Sequence, residues 1–317
     1  MHSKVRVAVV GGGVIGLTSA IRLKEAGYAV DVLARDFTPN NTSDVAAAFW
    51  CPYRVSEDER AFAWAQRTFD VFAELQPIAA AGIEMRRQRE VFKHPAENPW
   101  YYKITRGFAR CMNDQLPPGF IDGFEFDTYL IDTPTYMKYL NDRCADSGIS
   151  LKQTEVPRLE SLREDYDLAV NCTGVWARKF VGDTKVYPIR GQVIVTHLPE
   201  DFSRTITTWD AGEYPAYIVP RLKTCILGGT TLAENWDLTP DPETAIGIRQ
   251  RCSTLNPEVA KLEALDDRVG LRPGRKRVRL ERDDSLPDLP VVHCYGHGGS
   301  GFTLSWGCAE EVVQLLS

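Results

Sequence analysis

Three features are scarce or missing in this sequence of 317 residues, and each absence excludes a class of function. Basic residues are not in excess: 37 lysines and arginines are outnumbered by 43 aspartates and glutamates, giving a formal net charge of -6, which disfavours nucleic-acid binding. No apolar run reaches the roughly 20 residues of a membrane-spanning helix. No C-x-x-C pair and no Cys/His cluster at zinc spacing occurs, so we expect no metal site.

Eight cysteines are present, but they are scattered, and we expect reduced thiols in a cytosolic protein. They are Cys51, Cys111, Cys144, Cys172, Cys225, Cys252, Cys294 and Cys308. The first apolar segment begins almost at the N-terminus, so no signal peptide is expected. The C-terminal residues 314–317 lack a peroxisomal signal of the Ser-Lys-Leu type, which also favours the cytoplasm.

A glycine-rich turn over 11–16 has the flanks that a dinucleotide-binding unit requires. The apolar, β-branched run Arg6–Val10 predicts a strand buried on both faces. Residues 17–26 predict a helix that a glycine can cap, and 28–34 predict a second apolar strand. A glycine turn in some other α/β protein is the competing interpretation, and this strand-turn-helix-strand order disfavours it.

The residues of this turn have separate predicted roles. Gly11 allows the tight turn, Gly13 lets the backbone approach the phosphates, and Gly16 lets the helix pack closely on the strand. At the helix start, Val14 and Ile15 are expected to present unpaired N–H groups and the positive dipole end to a pyrophosphate.

The residues after the second strand are candidates for the adenosine ribose. Asp36 lies about 20 residues after the last glycine of the turn, where an acid usually binds the ribose. Arg35 occupies the more usual strand-end position and could face the adenine phosphates instead, so both remain candidates.

Residues 40–53 change from polar to small and apolar. Hydroxyls at Thr42 and Ser43 can donate to phosphate or ring atoms, and the alanines, including Ala47 and Ala48, remove bulk beside a flat ligand. A helix packed against the first helix is an equally good interpretation of this segment alone.

The remaining pattern predicts an α/β protein with a Rossmann-type cofactor domain and a second α+β domain built on a large, mostly antiparallel sheet. One amphipathic helix is predicted from Glu57 to Ala81, with Phe62, Trp64, Phe69 and Phe72 on its inward face. We assign residues 1–53, 135–185 and 265–317 to the cofactor domain, and 54–134 and 186–264 to the substrate domain.

A second glycine loop, 296–303, lies between a predicted strand and a helix expected to start near Leu304. Such a loop can supply another row of backbone N–H groups to the same cofactor. His297 within it is a candidate general base, but hydrogen bonding to the backbone or to the cofactor is the better-supported interpretation.

Two side chains downstream are candidates for binding a carboxylate. Arg272 lies at a strand end that Pro273 constrains, and arginine offers a planar fork of two donors. Tyr217, in a predicted apolar hairpin, is the best candidate for a phenol that reaches into a pocket, although a core tyrosine explains it equally well.

Taken together, these motifs resemble the D-amino-acid oxidase family of flavoproteins over nearly the whole chain. The motifs that carry the resemblance are VVGGGVIGL (9–17), ARD (34–36), DVAAAFW (44–50), VNCTGVW (170–176), AYIVP (216–220), GGT (228–230) with NW (235–236), VGLRP (269–273) and YGHGGSG (295–301). Several separate motifs in the same order make a chance agreement improbable.

The resemblance implies FAD as the cofactor and a substrate sheet that roofs the flavin. It implies that Arg272 pairs with the substrate carboxylate, that Tyr217 donates to the same carboxylate, and that the Gly299 carbonyl accepts from the amine. Other expected cofactor contacts are Cys172, Thr173, Gly174, Trp176, Gly298, Gly299, Ser300, Gly301, Phe302 and Thr303. The family's lid tyrosine is not cleanly matched by Glu213-Tyr214.

The activity implied is oxidative deamination of D-amino acids by hydride transfer from Cα to flavin N5, with dioxygen as the oxidant and peroxide, ammonia and a 2-oxo acid as products. A D-aspartate oxidase and a glycine or sarcosine oxidase are alternatives of the same fold. A catalytically silent flavin-binding regulatory protein and an NAD-dependent dehydrogenase are less well supported. Expected partners are the amino acid and dioxygen, without nucleic acid or membrane, and a homodimer is one candidate assembly.

Overall fold

The computed structural model describes residues 5–53 and 58–316. The strands are β1 (Arg6–Val10), β2 (Ala29–Ala34), β3 (Ile83–Phe92), β4 (Arg106–Arg110), β5 (Asp122–Ile131), β6 (Ser150–Gln153), β7 (Leu168–Asn171), β8 (Tyr187–His197), β9 (Thr205–Thr208), β10 (Ala216–Pro220), β11 (Thr224–Gly228), β12 (Leu232–Ala233), β13 (Ala264–Gly274), β14 (Arg279–Asp283) and β15 (Val291–Tyr295). The helices are α1 (Val14–Glu25), α2 (Thr42–Val45), α3 (Glu59–Leu75), α4 (Thr133–Asp146), α5 (Ala177–Phe180), α6 (Pro242–Leu255) and α7 (Gly301–Leu316).

The first sheet has the strand order β14-β15-β7-β1-β2-β6. Its pairs are parallel, except that the edge strand β14 runs antiparallel to β15. Apolar residues fill β1 because helices cover both faces of a parallel sheet. The carboxyl ends of β1, β2 and β7 meet at one edge, where a doubly wound fold binds its ligand. The predicted Rossmann-type architecture is therefore confirmed.

The second sheet has nine strands, in the order β12-β8-β11-β10-β9-β3-β5-β4, with β13 paired to β8. The pair β3–β9 is parallel and the other pairs are antiparallel, as predicted. Strand β13 pairs with β8 from Ala264 to Gly274. The predicted domain division places residues 265–274 in the cofactor domain, whereas these residues pair within the second sheet.

The helix α3 is shorter than predicted. It ends at Leu75, and Ala79–Ala81 form a separate 3₁₀ turn, because Pro77 cannot continue the helix. The predicted start at Glu57 lies outside the described residues. Phe62 is 37 % exposed and does not belong to the inward stripe, since it lies about 200° around the helix from buried Trp64.

The helix α7 lies against α1 and α3 and brings its first turn to the sheet edge. A Cβ at Gly307 would come within 2.3 Å of the Trp64 Cα, so this glycine permits direct contact between the backbones of α7 and α3. The helix begins at Gly301, three residues before the predicted start near Leu304. Its first turn therefore includes residues that were predicted to lie in the glycine loop.

All eight cysteines are free thiols, and seven of them are buried. In the part of the chain that the structure describes, no helix combines the length and apolar character needed to cross a membrane.

Candidate active site

A cavity of about 1180 Å³ extends from the carboxyl ends of β1, β2 and β7 to the face of the second sheet. It exceeds the roughly 300–1,000 Å³ of sites for drug-sized ligands, and so has room for an extended dinucleotide together with a small substrate. The predicted cofactor residues that line it are Gly11, Gly13, Val14, Ile15, Arg35, Asp36, Thr42, Ser43, Ala47, Ala48, Cys172, Thr173, Gly174, Trp176, Gly298, Gly299, Gly301, Phe302 and Thr303. The structure thus brings most of the predicted set to one cavity.

The glycines of the first turn are required by backbone contacts. Gly11 has φ +127°, and a Cβ there would lie 2.4 Å from the Cys172 carbonyl oxygen. A Cβ at Gly16 would lie 1.9 Å from the Gly11 carbonyl oxygen, so α1 can leave β1 this closely only without a side chain. Gly16 is absent from the cavity lining, and its contribution is to this packing.

The start of α1 differs from the prediction that its N–H groups are unpaired. The Val14 N–H donates to Ser43 Oγ at 3.0 Å. Ser43 lies in the single turn of α2, which Asn41 caps by accepting from the Ser43 N–H, and this turn lies over the start of α1. The hydroxyl is therefore engaged with the protein at this point. A longer helix over 40–53, the alternative interpretation, does not form.

Arg35 and Asp36 form an ion pair, with Nε and Oδ2 2.7 Å apart. The Arg35 guanidinium also lies over the Trp176 ring, 4.9 Å from its centroid, and Trp176 contacts Trp236 at 5.6 Å. Both members of the pair line the cavity, so both candidates for the ribose remain together at the nucleotide end.

At the other end of the cavity, Arg272 and Tyr217 project from β13 and β10. Arg272 Nη1 donates to the Thr230 carbonyl at 3.0 Å, and a Cβ at Gly191 would lie 2.1 Å from the same nitrogen. A Cβ at Gly228 would lie 2.1 Å from the Tyr217 ring. Glycines on the neighbouring strands thus make room for both side chains.

The Tyr217 phenol is a hydrogen-bond donor over the ordinary pH range. Burial raises the pKa of Tyr217, and the nearby positive charge of Arg272 opposes the rise only in part. A protonated phenol beside a guanidinium can bind a carboxylate from two sides. The structure therefore favours the pocket interpretation of Tyr217 over that of a core tyrosine.

The second glycine loop is attached to the substrate end. The Gly298 N–H donates to the Pro273 carbonyl at 2.8 Å, which links the loop to the strand that carries Arg272. Ser300 does not line the cavity, because its hydroxyl accepts from the Tyr53 N–H at 2.6 Å and donates to the Tyr53 carbonyl at 2.8 Å. Ser300 thus links the second glycine loop to the Tyr53 backbone and does not face the cavity.

His297 lines the cavity but is only 2 % exposed, and burial lowers its pKa to about 3. It is therefore neutral at physiological pH. Its Nε2 lies 3.9 Å from Cys294 Sγ, and the ligand atoms of Cys294, His297 and Cys308 lie within 4.8 Å of one another, a proximity that the sequence spacing does not reveal. Three such atoms are one fewer than a closed tetrahedral metal site uses.

Four further residues shape the cavity and escape the sequence analysis. Tyr53 and Trp209 stack with ring centroids 4.7 Å apart, and both line the cavity. Glu90 is buried behind Trp209. The buried Arg221 donates to the carbonyls of Ala46 and Ala47, and burial lowers its pKa to about 10. Arg221 directly follows the apolar strand β10, which is a weak signal, whereas Glu90 lies among the charged residues of β3 and does not stand out in the sequence.

The lid candidates Glu213 and Tyr214 are absent from the cavity lining. The Tyr214 hydroxyl donates to Glu213 Oε1 at 2.8 Å, and the Arg251 guanidinium lies 5.4 Å from the centre of the Tyr214 ring. From this segment, Trp209 reaches the cavity instead.

The residues fit an FAD molecule. The two glycine loops lie close together, since a Cβ built on Gly301 would be 3.7 Å from Val14 Cγ1. The space beside Gly174 is open, because a Cβ there would meet nothing within 4 Å. Backbone groups can therefore approach a bound pyrophosphate from both sides. Fold and site together define a dinucleotide-binding protein with a second binding region beside the cofactor.

Comparison with known proteins identifies the family. The family model described as FAD dependent oxidoreductase (DAO) matches residues 6–315, and the chain belongs to this family, as the resemblance predicts. The D-amino-acid oxidase of Rubrobacter xylanophilus is 44% identical over 98% of this chain and 95% of its own length. Human D-aspartate oxidase is 34% identical over 98% and 94%. Glycine oxidase from Bacillus cereus shares the fold, with a TM-score of 0.83 at 20% identity, covering 99% of this chain and 95% of that one.

Proposed function

We propose that the protein is an FAD-dependent D-amino-acid oxidase that produces a 2-oxo acid, ammonia and hydrogen peroxide. One observation carries this proposal: a guanidinium and a partly buried phenol face the substrate end of a cavity whose other end has the glycine turn of a dinucleotide site. The relatives named D-amino-acid oxidase support it, since their similarity spans nearly the full chain.

Arg272 provides the principal substrate contact. Its guanidinium can pair with the α-carboxylate through two parallel hydrogen bonds, while the Thr230 carbonyl keeps it in place. Tyr217 donates a further hydrogen bond to the same carboxylate. The carbonyl of Gly299, in a loop attached to the Arg272 strand, accepts from the substrate amine.

These contacts orient the substrate without a protein base. With the carboxylate and the amine fixed, only one enantiomer directs its Cα hydrogen to the cofactor while its side chain occupies the remaining pocket. The chemistry that bound FAD would supply is acceptance of that hydride by the flavin, followed by reoxidation of the flavin by dioxygen. His297, neutral and bordered by Cys294, has no required proton transfer in this scheme.

D-Aspartate oxidation is the second candidate, favoured by the human relative. A substrate with a second carboxylate would gain from a second cation near Arg272. Arg268 lines the cavity on the same strand, but its Nε is paired with Asp266 Oδ2 at 2.7 Å. We therefore favour substrates with uncharged side chains.

The proposal is tested with an oxygen electrode. The purified protein should be yellow and should consume oxygen with D-alanine or D-proline, but not with the L-forms, faster than with D-aspartate, glycine or sarcosine. Anaerobic addition of the D-substrate should bleach the flavin, which a silent flavin-binding protein would not show. A preparation that neither binds FAD nor produces peroxide would contradict the proposal.

We also infer a cytosolic location. Eight free thiols with no disulfide are typical of a reducing compartment. Localisation of the tagged protein by fluorescence microscopy tests this inference.

A further inference from the structure

Glu90 is a buried carboxyl on the cavity side of the second sheet. It is 1 % exposed. It pairs with Thr207 on β9, and Thr207 pairs with Tyr217 on β10, so the three residues form one row across adjacent strands. Residues in one row face the same side of a sheet, and two strand spacings amount to roughly 10 Å. Glu90 therefore lies on the same face as the proposed substrate contact Tyr217.

Among the described residues, the side chains that contact the Glu90 carboxyl oxygens are the neutral donors Tyr101, Trp209 and Cys51. From the 3₁₀ turn at 100–103, the Tyr101 hydroxyl donates to Oε1 at 2.8 Å. From the segment after β9, Trp209 Nε1 donates to Oε2 at 3.3 Å, and from the segment before α3, Cys51 Sγ lies 4.0 Å from Oε1. A carboxylate buried without a paired cation is costly, and apolar residues of similar volume often replace such groups without loss of stability.

Trp209 connects Glu90 with the substrate pocket, because it contacts both the Glu90 carboxyl and the Tyr53 ring. Its ring stacks on Tyr53 at an interplanar angle of 11°, and both rings line the cavity. The Tyr53 backbone is bonded to the Ser300 hydroxyl, and a Cβ at Gly299 would lie 2.5 Å from the Tyr53 ring. A continuous chain of contacts thus connects Glu90 with the loop that binds the substrate amine.

We propose that Glu90 is a positioning residue that holds the Trp209 indole, and through it the Tyr53 ring, as the pocket wall that selects the substrate side chain. This inference rests on the proposed function. A shift of either ring changes the space beside the Gly299 loop, so Glu90 influences which amino acids fit without touching them.

The hydrogen bond between Trp209 and Glu90 depends on pH, because Glu90 can be ionised or neutral. Burial raises the pKa of Glu90 to about 7, while the hydrogen bonds from Tyr101 and Trp209 oppose the rise. Burial also raises the pKa values of Cys51 and Tyr101, so both stay neutral donors. Above pH 7 both carboxylate oxygens accept hydrogen bonds. Below pH 7 the carboxyl is neutral and accepts more weakly, so the hydrogen bond from Trp209 Nε1 weakens and the wall loosens.

Three variants separate this role from a structural one. Glu90→Gln replaces one acceptor oxygen with a donor. Trp209→Phe removes the N–H donor and leaves a smaller aromatic ring, and Tyr101→Phe is the matched control because it removes a bond to Glu90 outside the cavity lining. KM and kcat are measured for D-amino acids of increasing side-chain size, with FAD content and Tm recorded for each variant.

We expect Glu90→Gln to change the ratio of kcat/KM between large and small substrates roughly 3- to 10-fold, mainly through KM. Trp209→Phe should change the ratio by at least as much, because the ring that forms the wall also becomes smaller. The double variant should add nothing further, because the residues act through one contact. When the assays are run well above the Glu90 pKa, where the carboxyl is ionised in both proteins, Tyr101→Phe should keep the wild-type ratio. An unchanged ratio in Glu90→Gln, or additive effects in the double variant, would overturn the proposal.

A second measurement does not need turnover. Infrared spectra of the FAD-loaded protein should show a carboxylic acid band that titrates near pH 7, is absent in Glu90→Gln and titrates at higher pH in Tyr101→Phe. Tryptophan fluorescence should change with the same midpoint, except in Trp209→Phe. Fluorescence that does not follow the Glu90 titration would refute the coupling, even if the protein proved to oxidise a different substrate.

Discussion

The two ends of the cavity are built by different means. The nucleotide end is built around β1, the start of α1 and the end of β2, with residues 154–157 and 172–176 beside them, and its critical atoms belong to the backbone around Gly11 and Gly16. The substrate end collects side chains from β10 and β13 and from residues 296–303. A backbone site fails when a side chain is added, whereas a side-chain site fails when one is removed. Mutations should therefore affect cofactor binding and substrate binding separately.

The largest effect is expected for Gly16→Ala at the nucleotide end. The new Cβ would lie 1.9 Å from the Gly11 carbonyl, so α1 and β1 must separate. We expect loss of bound FAD and a loss of stability of roughly 1–3 kcal/mol or more. Flavin absorbance and thermal unfolding measure both. Gly247→Ala in α6 is the control, where only the flexible Arg251 side chain is nearby and stability should rise slightly. Normal FAD content in Gly16→Ala would refute the steric argument.

Arg272→Ala is expected to produce the next largest effect, at the substrate end. Loss of the guanidinium leaves the carboxylate without its paired charge, so kcat/KM should fall roughly 10²- to 10³-fold. FAD binding should be unchanged, in contrast to Gly16→Ala. Steady-state kinetics and flavin titration test this pair of expectations, and Arg268→Ala controls for general loss of positive charge on the same strand. Unchanged kinetics would remove Arg272 from the site.

Gly191→Ala adds a side-chain atom, as Gly16→Ala does, but at the substrate end of the cavity. Its Cβ would lie 2.1 Å from Arg272 Nη1, the end of a flexible side chain that can move. We expect KM to rise roughly 30- to 100-fold while FAD remains bound, because the guanidinium moves away from the Thr230 carbonyl. If this variant loses FAD as Gly16→Ala does, the proposed separation of the two ends is wrong.

Tyr217→Phe should have the smallest effect of the four. It removes one hydrogen bond to a charged group, which corresponds to roughly a tenfold loss in kcat/KM or slightly more. The ring and its packing against Gly228 remain, so stability and flavin content should be close to wild type. A loss as large as that of Arg272→Ala would show that the phenol has a further role.

Sequence reasoning predicts the local parts of this site well. The turn from Gly11 to Gly16 lies within one strand-turn-helix unit, whose periodicity and glycine spacing are visible directly. Arg272 and Tyr217 are named as candidates from the sequence, and their role as carboxylate contacts stays a prediction. The structure places both in the predicted cavity.

Contacts between distant segments were not predictable in the same way. The bonds from Ser300 to Tyr53 join residues 247 positions apart, and that from Ser43 to Val14 joins residues 29 apart. Each hydroxyl has several possible partners, and only tertiary packing selects one. The pairing of β13 with β8 and the position of Glu90 behind Trp209 depend equally on the assembled second sheet.

The position of β15 in the first sheet bears on folding. This strand lies between β14 and β7, and β7 is the direct neighbour of β1, so strands from distant parts of the chain lie side by side. A contact between segments far apart in sequence must first overcome the entropy of closing a long loop. The parallel sheet therefore stays partly open at β7 until β15 joins it, and the two glycine loops face each other only after that long-range pairing has formed.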